Sequence, residues 1–250
     1  VSPADRPSGR LGVGIVGAGH VGPILGAALA AAGHAIVGIS AVSEASRDRA
    51  DAILPGVPIL SVQDIVERSE LVLLAVPDDQ LDDLVSGLAA TKAWQAGQLV
   101  VHTSPGHGLS VLDPARAAGA IPIAIHPALQ FTGTTIDLVR LREAYCAVTA
   151  PGPVLPIGQA LVVEMGAEPV VVADADRAKY AEAVETATTF SAAIVSQSVG
   201  ILRELGLDEP GRVIAPLVRS AMDRALGTAD GSLGPGTIEM PSFDDDGPLT

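Results

Sequence analysis

The sequence predicts an α/β protein: a doubly wound, mainly parallel sheet followed by a smaller all-α C-terminal domain. Three observations carry that expectation. Short apolar runs alternate with helical patterns through the first two thirds of the chain. A glycine-rich turn, GAGHVG, joins the first of these runs to the first helical pattern. After Ala173 the alternation stops, and two helical patterns follow with no strand between them. The 250 residues are 48% hydrophobic and 18% charged, enough to bury a proper core. Aromatic residues make up only 2%, so that core must be built from Ala, Val, Leu and Ile.

The first strand is LGVGIV (11–16), followed by the turn and an Ala-rich helix to about Ala32, where Gly33 is placed to end it. HAIVGIS (34–40) is the next strand. SEASRDRADAIL (43–54) reads as a helix with Ser43 as N-cap, and SVQDIVERS (61–69) as another. LVLLAVP (71–77) is a strand and DQLDDLVSGLAA (79–90) a helix. QLVVHTS (98–104) and IPIAIHP (121–127) are strands. AYCAVTA (144–150) and PVVVA (169–173) bracket the helix PIGQALVVEMG (156–166). Strand, helix and strand in repetition make a parallel sheet with helices on both faces. From Asp174 to about Leu205 the spacing of Tyr180, Val184, Ala187, Ile194, Ser198, Ile201 and Leu205 predicts one long helix. A second helix has Pro210 near its first turn and Val213, Ile214, Leu217, Ala221 and Leu226 on one side.

The expected organisation is therefore a flexible N-terminus over 1–10, a dinucleotide-binding domain over 11–173, a helical domain over 174–226, and a flexible Gly, Pro and Asp-rich tail over 227–250. The two long helices cannot cover each other's apolar faces completely. Their surplus apolar surface predicts a homodimer through the C-terminal helices, which light scattering would read. A net charge of −14 argues against nucleic acid or an anionic membrane as partner and leaves a small molecule. The single cysteine, Cys146, allows no intrachain disulfide and reads as a buried strand thiol. VSPADRPSGR has no apolar signal-peptide region, and the apolar runs are too short for a span of ~20 residues, so a cytoplasmic location is expected.

Gly17, Gly19 and Gly22 form G-x-G-x-x-G directly after a strand and opening a helix. In that setting the three glycines serve, in order, the tight turn, close approach to a pyrophosphate, and close helix packing on the strand. The helix N-terminus then offers N–H groups and positive partial charge to phosphates. The loop positions Gly17, Ala18, Gly19, His20, Val21 and Gly22 are thus expected to hold the pyrophosphate of a dinucleotide in a Rossmann-type domain. An acidic residue about 20 positions further on would bind the ribose 2′-hydroxyl and reject NADP. Here the second strand ends at Ser40, with Ser43 next and Arg47 on the following helix. Hydroxyls and a guanidinium suit a 2′-phosphate, so NADP is expected ahead of NAD. Glu44 is the competing feature, because a small shift of register would bring it to the ribose. AVPDDQL (75–81) ends a strand at the carboxyl edge of the sheet. Val76 and Pro77 either flank a ribose there or simply stop the strand.

His102, His107 and His126 sit at or just after strand ends, in HTSPGHG (102–108) and IHPALQFTG (125–133). A hydroxyl and an imidazole on that edge could bind a carbonyl and supply a proton. For His102 and His107 a structural hydrogen bond within a turn is the simpler role; for His126 catalysis and structure stand level. A zinc site from the three histidines has no acid or cysteine in motif spacing.

With the glycine loop, AVPDD, HTSPGHG and IHPALQFTG taken together, the chain resembles the two-domain Rossmann-like oxidoreductases whose helical C-terminal half is classed as a domain of unknown function. These are relatives of the 6-phosphogluconate dehydrogenase, pyrroline-5-carboxylate reductase and prephenate dehydrogenase superfamily. The resemblance covers about residues 10–226 and includes LVVEMGAEP and SAMDRAL. It implies an NADP-binding domain, a helical dimerisation domain and an active site between them, but no substrate. Two departures stand out. Pro105 replaces the glycine that usually follows the serine of HTSPGHG, and the long helix offers Glu185, Thr186 and Thr189 where the superfamily often presents Lys, His or Asn. The resulting expectation is an NADP-dependent oxidoreductase acting on a small carbonyl, imine or hydroxy acid. Ser104 would lie near the nicotinamide, His126 or Ser104 would handle the proton, and Thr189 or Thr186 would orient the substrate. The alternative is a sensor or scaffold that holds NADP(H) and turns nothing over.

Overall fold

The computed structural model describes residues 10–229. In chain order the elements are β1 (Gly12–Val16), α1 (Gly22–Ala31), β2 (Ala35–Ser40), α2 (Glu44–Ile53), α3 (Val62–Arg68), β3 (Leu71–Leu74), α4 (Asp78–Ala90) and β4 (Leu99–His102). They continue with α5 (Asp113–Ala117), β5 (Ile121–Pro127), α6 (Ile136–Leu141), β6 (Tyr145–Thr149), α7 (Leu155–Glu164), β7 (Glu168–Val171), α8 (Arg177–Glu204) and α9 (Pro210–Ala229). The seven strands form one sheet in the order β2-β1-β3-β4-β5-β6-β7.

Strands β1 to β5 are mutually parallel, and β6 pairs antiparallel with β5 (Ala124 opposite Thr149, His126 opposite Ala147). β7 is parallel to β6, so the last two strands run against the other five. The reversal follows from the β5–β6 connection. The sequence patterns left 128–143 without an element; the chain places there the six-residue α6, and β6 returns beside β5 in the opposite direction. The strand order reverses between β1 and β3, and a sheet of this kind binds ligands outside its carboxyl ends at that point.

Alternation along the strands splits the core onto two faces. Ile15, Leu71, Leu73, Val101, Ile123 and Ile125 belong to one buried cluster, which also contains Leu25 of α1 and Leu161 of α7. Val16, Val72, Leu74 and Val100 belong to the other, with Ile65 of α3, Val85 of α4 and Ala115 of α5. Cys146 of β6 is fully buried, as expected, and burial pushes its thiol up to about 12. Arg10 is not free: it pairs with Glu164 at 2.7 Å. The same carboxylate meets Nε2 of the buried His34 at 2.8 Å, while Nδ1 of that ring accepts from the Leu11 N–H.

The chain divides into two compact units, Val1–Glu185 and Thr186–Thr250. The division falls inside α8, because the first turns of that helix are anchored to the sheet through Arg177 and Tyr180. α8 starts at Arg177 after a single turn of 3-10 helix over Asp174–Asp176, and α9 runs to Ala229, past the Gly227 at which the tail was expected to begin. The flexibility expected of 1–9 and 230–250 lies outside the described residues. In the second unit Phe190, Ile194, Ile201, Leu205, Val213, Leu217 and Leu226 are all more than half exposed. Among the described residues no helix is long and apolar enough to cross a membrane.

Candidate functional site

The glycine loop leaves β1 in a conformation that requires glycine at its first and third glycine positions. Gly17 has φ +106°, and a Cβ there would collide with the Ala75 carbonyl oxygen. A Cβ at Gly22 would collide with the Gly17 carbonyl oxygen, so the third glycine lets α1 close onto its own loop. Gly19 differs: nothing stands within 4 Å of its Cβ position. The middle glycine therefore faces open space. α1 begins with no side-chain cap, which leaves N–H groups of its first turn for an anion.

A cleft of about 510 Å³ opens here, lined by Val16, Gly17, Ala18, Gly19, Ser40, Val42, Ser43, Ser46, Val62, Ala75, Val76, Pro77, Gln80 and Leu84. It joins the carboxyl ends of β1, β2 and β3, the position the strand reversal selects. Seven residues expected at the cofactor line it: Gly17, Ala18, Gly19, Ser40, Ser43, Val76 and Pro77. The lining contains hydroxyls, amides and apolar groups but no carboxylate. Ser40 is buried, and its Oγ accepts the Gly17 N–H at 2.9 Å, so the hydroxyl also holds the loop in shape. Ser43 is the N-cap of α2: Oγ accepts the Ser46 N–H at 3.2 Å, and Ser46 Oγ accepts the Ser43 N–H at 3.0 Å.

Arg47 needs correction as a lining residue. It is exposed and absent from the cleft wall, although it stands one helical turn beyond Ser43 on α2. Ser46, three residues beyond the N-cap, is the member the sequence reading missed. Arg49 reaches the loop instead, donating to the Ala18 carbonyl at 2.9 Å. His20 is exposed and stands with Arg49 beside Gly133. That glycine is held by the fully buried Asp137, whose carboxylate accepts the Thr132 N–H at 2.7 Å and the Gly133 N–H at 2.8 Å. Val21 is half-buried and Gly22 buried at the base of the loop, neither lining the cleft. Glu44 is exposed in the first turn of α2 and is likewise absent from the lining.

Beyond β3 the same edge carries titratable groups. His102 ends β4 fully buried, with Nε2 3.2 Å from the Gly108 carbonyl and Nδ1 unpartnered. Burial, then the nearby Arg177 cation, lowers its pKa to about 3. Ser104 Oγ accepts the His107 N–H at 3.2 Å and pairs with His107 Nδ1 at 2.9 Å, so this hydroxyl is engaged within its own turn. His126 is partly exposed, and its Nδ1 lies 2.8 Å from the Tyr180 hydroxyl. Burial first and Arg177 second bring its pKa to about 4.

Arg177 joins these groups. Its side chain is 1% exposed, and no carboxylate pairs with it among the described residues. Nε donates to Thr149 Oγ1 at 2.7 Å, and Nη2 to the carbonyls of Ala124 and Ala147 at 3.0 and 3.1 Å. Nη1 points to the Ser104 carbonyl at 3.4 Å, and the guanidinium carbon lies 5.9 Å from the centre of the Tyr180 ring. One cation thus ties the middles of the antiparallel strands β5 and β6 to the turn that carries Ser104. Thr189, the third residue expected in catalysis, is exposed on the second compact unit. Lys179 is exposed at the start of α8. Among the described residues no group of three His, Cys, Asp or Glu side chains is placed to hold a metal ion.

Residues 2–127 match the model of the Rossmann-like domain family, and residues 144–235 match a Domain of unknown function (DUF2520). A comparison with the curated proteins finds none that matches. Among solved structures, a protein from Bacteroides fragilis provisionally named an NADP oxidoreductase is 16% identical with a TM-score of 0.70, over 87% of this chain and 81% of that one. A protein from Thermotoga maritima is 20% identical with a TM-score of 0.64, over 89% and 82%. A pyrroline-5-carboxylate reductase from Coxiella burnetii is 14% identical with a TM-score of 0.60, over 90% and 81%. These chains share the fold.

Proposed function

The chain belongs to the Rossmann-like domain family, and from that premise we propose that it is an NADP-dependent oxidoreductase acting on a small carbonyl, imine or hydroxy acid. The observation that carries the reading is the cleft at the β1–β3 reversal, with an open Gly19 face at one end and Ser40, Ser43 and Ser46 at the other. A pyrophosphate would take the Gly17–Gly22 loop and the first turn of α1. A 2′-phosphate would take the serine hydroxyls and the N-terminal N–H groups of α2, and no carboxylate in the lining repels it. Bound there, the dinucleotide supplies hydride transfer. The protein supplies position, and His126, near the carboxylate of Asp78 just after Pro77, is the group best placed to meet a substrate oxygen.

The names of neighbours support this reading without fixing it: one is provisionally an NADP oxidoreductase, and a Plasmodium falciparum pyrroline carboxylate reductase was solved with NADP bound. A further neighbour was solved with NAD, so the choice of dinucleotide rests on the serines. For the partner, we propose a second copy of the chain. The 28 residues of α8 extend about 42 Å at 1.5 Å per residue, and the apolar side chains exposed along α8 and α9 suit helices of matching length.

Fluorescence titration of the full chain with NADPH and, separately, NADH tests the function. The expected result is NADPH binding at least ~10-fold tighter, a difference of about 1.4 kcal/mol. A preference for NADH would overturn the 2′-phosphate assignment and point to Glu44. Binding of neither would overturn the dinucleotide reading. Tight NADPH binding with no turnover across carbonyls, imines and hydroxy acids would favour the sensor or scaffold.

A further inference from the structure

The His126–Tyr180 pair joins residues 54 positions apart, and the superfamily resemblance assigns no role to it. Taking the oxidoreductase reading above as its basis, we propose that Tyr180 is a positioning residue: its hydroxyl donates to His126 Nδ1, fixes the ring with the proton on Nε2, and so presents Nε2–H as a hydrogen-bond donor to the substrate oxygen.

The geometry supplies each part. The two rings meet edge to face, with centroids 5.6 Å apart and planes at 74°, while Nδ1 and the hydroxyl lie 2.8 Å apart. The hydroxyl has no other partner among the described side chains, so its hydrogen is free to be donated to the ring nitrogen. A neutral imidazole has one donor and one acceptor nitrogen, and engaging Nδ1 as acceptor leaves the proton on Nε2. Nε2 has no partner among the described residues and is not among the sealed, unsatisfied atoms, of which His102 Nδ1 is the one found. Tyr180 itself is held over the Arg177 guanidinium, which is fixed by four oxygen acceptors on strands and loop. The chain Arg177, Tyr180, His126 is therefore anchored at its buried end and open at the other.

The charges facing His126 keep this arrangement uncharged. Arg177 on α8 and burial against the strand ends disfavour the imidazolium; Asp78 on α4 favours it and is outweighed. His102, from β4, is itself held neutral by the same burial and the same cation. With a pKa of about 4, only about one ring in a thousand carries the second proton at pH 7. His126 therefore serves as a neutral donor to charge developing on oxygen, the kind of stabilisation that a preorganised N–H gives in a dry site. That differs from the role expected from the sequence, where an imidazole near its ordinary pKa would deliver a proton. It also supplies a substrate-facing group on a chain whose long helix lacks the Lys, His or Asn often found there.

Ring-nitrogen NMR of the full chain carrying ¹⁵N-histidine reads the tautomer directly and needs no ligand. The His126 signals are those lost in His126→Gln. His34 is an internal standard and a monitor of the fold, since Leu11 N–H fixes its Nδ1 as acceptor. The expected spectrum shows His126 Nδ1 unprotonated and Nε2 protonated, unchanged from pH 8 down to pH 6. Tyr180→Phe keeps the ring and removes the donor; the His126 Nδ1 signal should move toward a tautomer average while His34 stays fixed. A proton on Nδ1 in the wild-type chain, titration of His126 near pH 6.5, or an unmoved signal in Tyr180→Phe would each overturn the proposal. NADPH titration of the same sample separates the two ideas: loss of cofactor binding would strike the oxidoreductase reading and leave the tautomer result as measured.

Discussion

The carboxyl edge of the sheet has two halves built by different means. At β1 to β3 the cleft is shaped by backbone: three glycines, an uncapped helix start and a row of serine hydroxyls, with no ionisable side chain in the wall. At β4 to β6 the edge is shaped by ionisable side chains taken out of water, namely His102, His126, Arg177 and Tyr180. The proposed dinucleotide would meet dipoles and no fixed charge in the first half. The second holds a buried cation whose field suppresses protonation of both nearby histidines. A dinucleotide and a small substrate ask for these two environments respectively, and the fold places them side by side on adjoining strands.

Removing the cation is the change with the largest expected effect. In Arg177→Met the carbonyls of Ala124 and Ala147 and the Thr149 hydroxyl lose their buried donor. Leaving a buried acceptor unsatisfied costs about 1–3 kcal/mol, so a loss of roughly 3 kcal/mol or more is expected in urea unfolding. The depressed pKa of His102 should rise at the same time. A loss under about 1 kcal/mol would mean that the second half of the edge does not depend on its charge, and the contrast between the halves would fail.

The two halves also differ in how far the sequence disclosed them. Gly17, Gly19, Gly22, Ser40 and Ser43 were legible because their roles follow from local order: glycines after a strand, a hydroxyl at the next strand's end, a cap before a helix. The strands themselves were legible as apolar runs, with ends shifted by no more than three residues and β5 matched at both ends. On α2 both Ser46 and Arg47 stand one helical turn beyond Ser43, so position along the helix does not choose between them; the cleft is lined by Ser46. In the second half the partners come from far along the chain: Arg177 reaches strands through Ala124 and Ala147, and Tyr180 reaches His126. An arginine in the first turn of a helix carries no local sign of burial, and the spacing that includes Tyr180 marks a helix face without saying which strand it meets. The antiparallel turn into β6, which brings Thr149 and Ala147 under Arg177, was hidden for a related reason: it depends on a connection too short and irregular to show a period. Asp137, buried by its bonds to Thr132 and Gly133, belongs to that same connection.

Within the first half, two alanine substitutions separate shape from ligand room. Gly17→Ala forces a Cβ against the Ala75 carbonyl at a φ of +106°, and a loss of about 2–4 kcal/mol is expected on unfolding. Gly19→Ala meets no atom within 4 Å, so stability should stay within about 0.5 kcal/mol of the original. NADPH affinity in Gly19→Ala should nonetheless fall ~10-fold or more, because the added methyl takes the room of the phosphate. Equal effects of the two variants on stability would show that the loop is merely tight throughout. Unaltered NADPH affinity in Gly19→Ala would remove the pyrophosphate from this face.

The smallest effect per step, and the one that belongs to the second half alone, is a dependence of stability on pH. His102 titrates near 6.5 when free and at about 3 in the fold, His126 at about 4. Below pH 6.5 the unfolded chain takes up protons that the folded chain refuses, so each ring favours unfolding as pH drops. The stability is fully present above 6.5 and is lost as pH falls toward the folded values, by about 1.4 kcal/mol per pH unit for each ring. Urea unfolding at pH 7 and at pH 5.5 measures the slope before the carboxylates contribute. His102→Gln removes one ring's titration and should flatten that slope by about 0.8 kcal/mol per unit over this window, which straddles the free value of 6.5, whatever its effect at pH 7. The cleft residues at β1 to β3 include no group that titrates in this range, so Gly19→Ala should leave the slope as it was. A slope that survives His102→Gln intact would place the acid sensitivity elsewhere, and would mean that His102, despite its unpartnered Nδ1, takes up a proton in the folded chain.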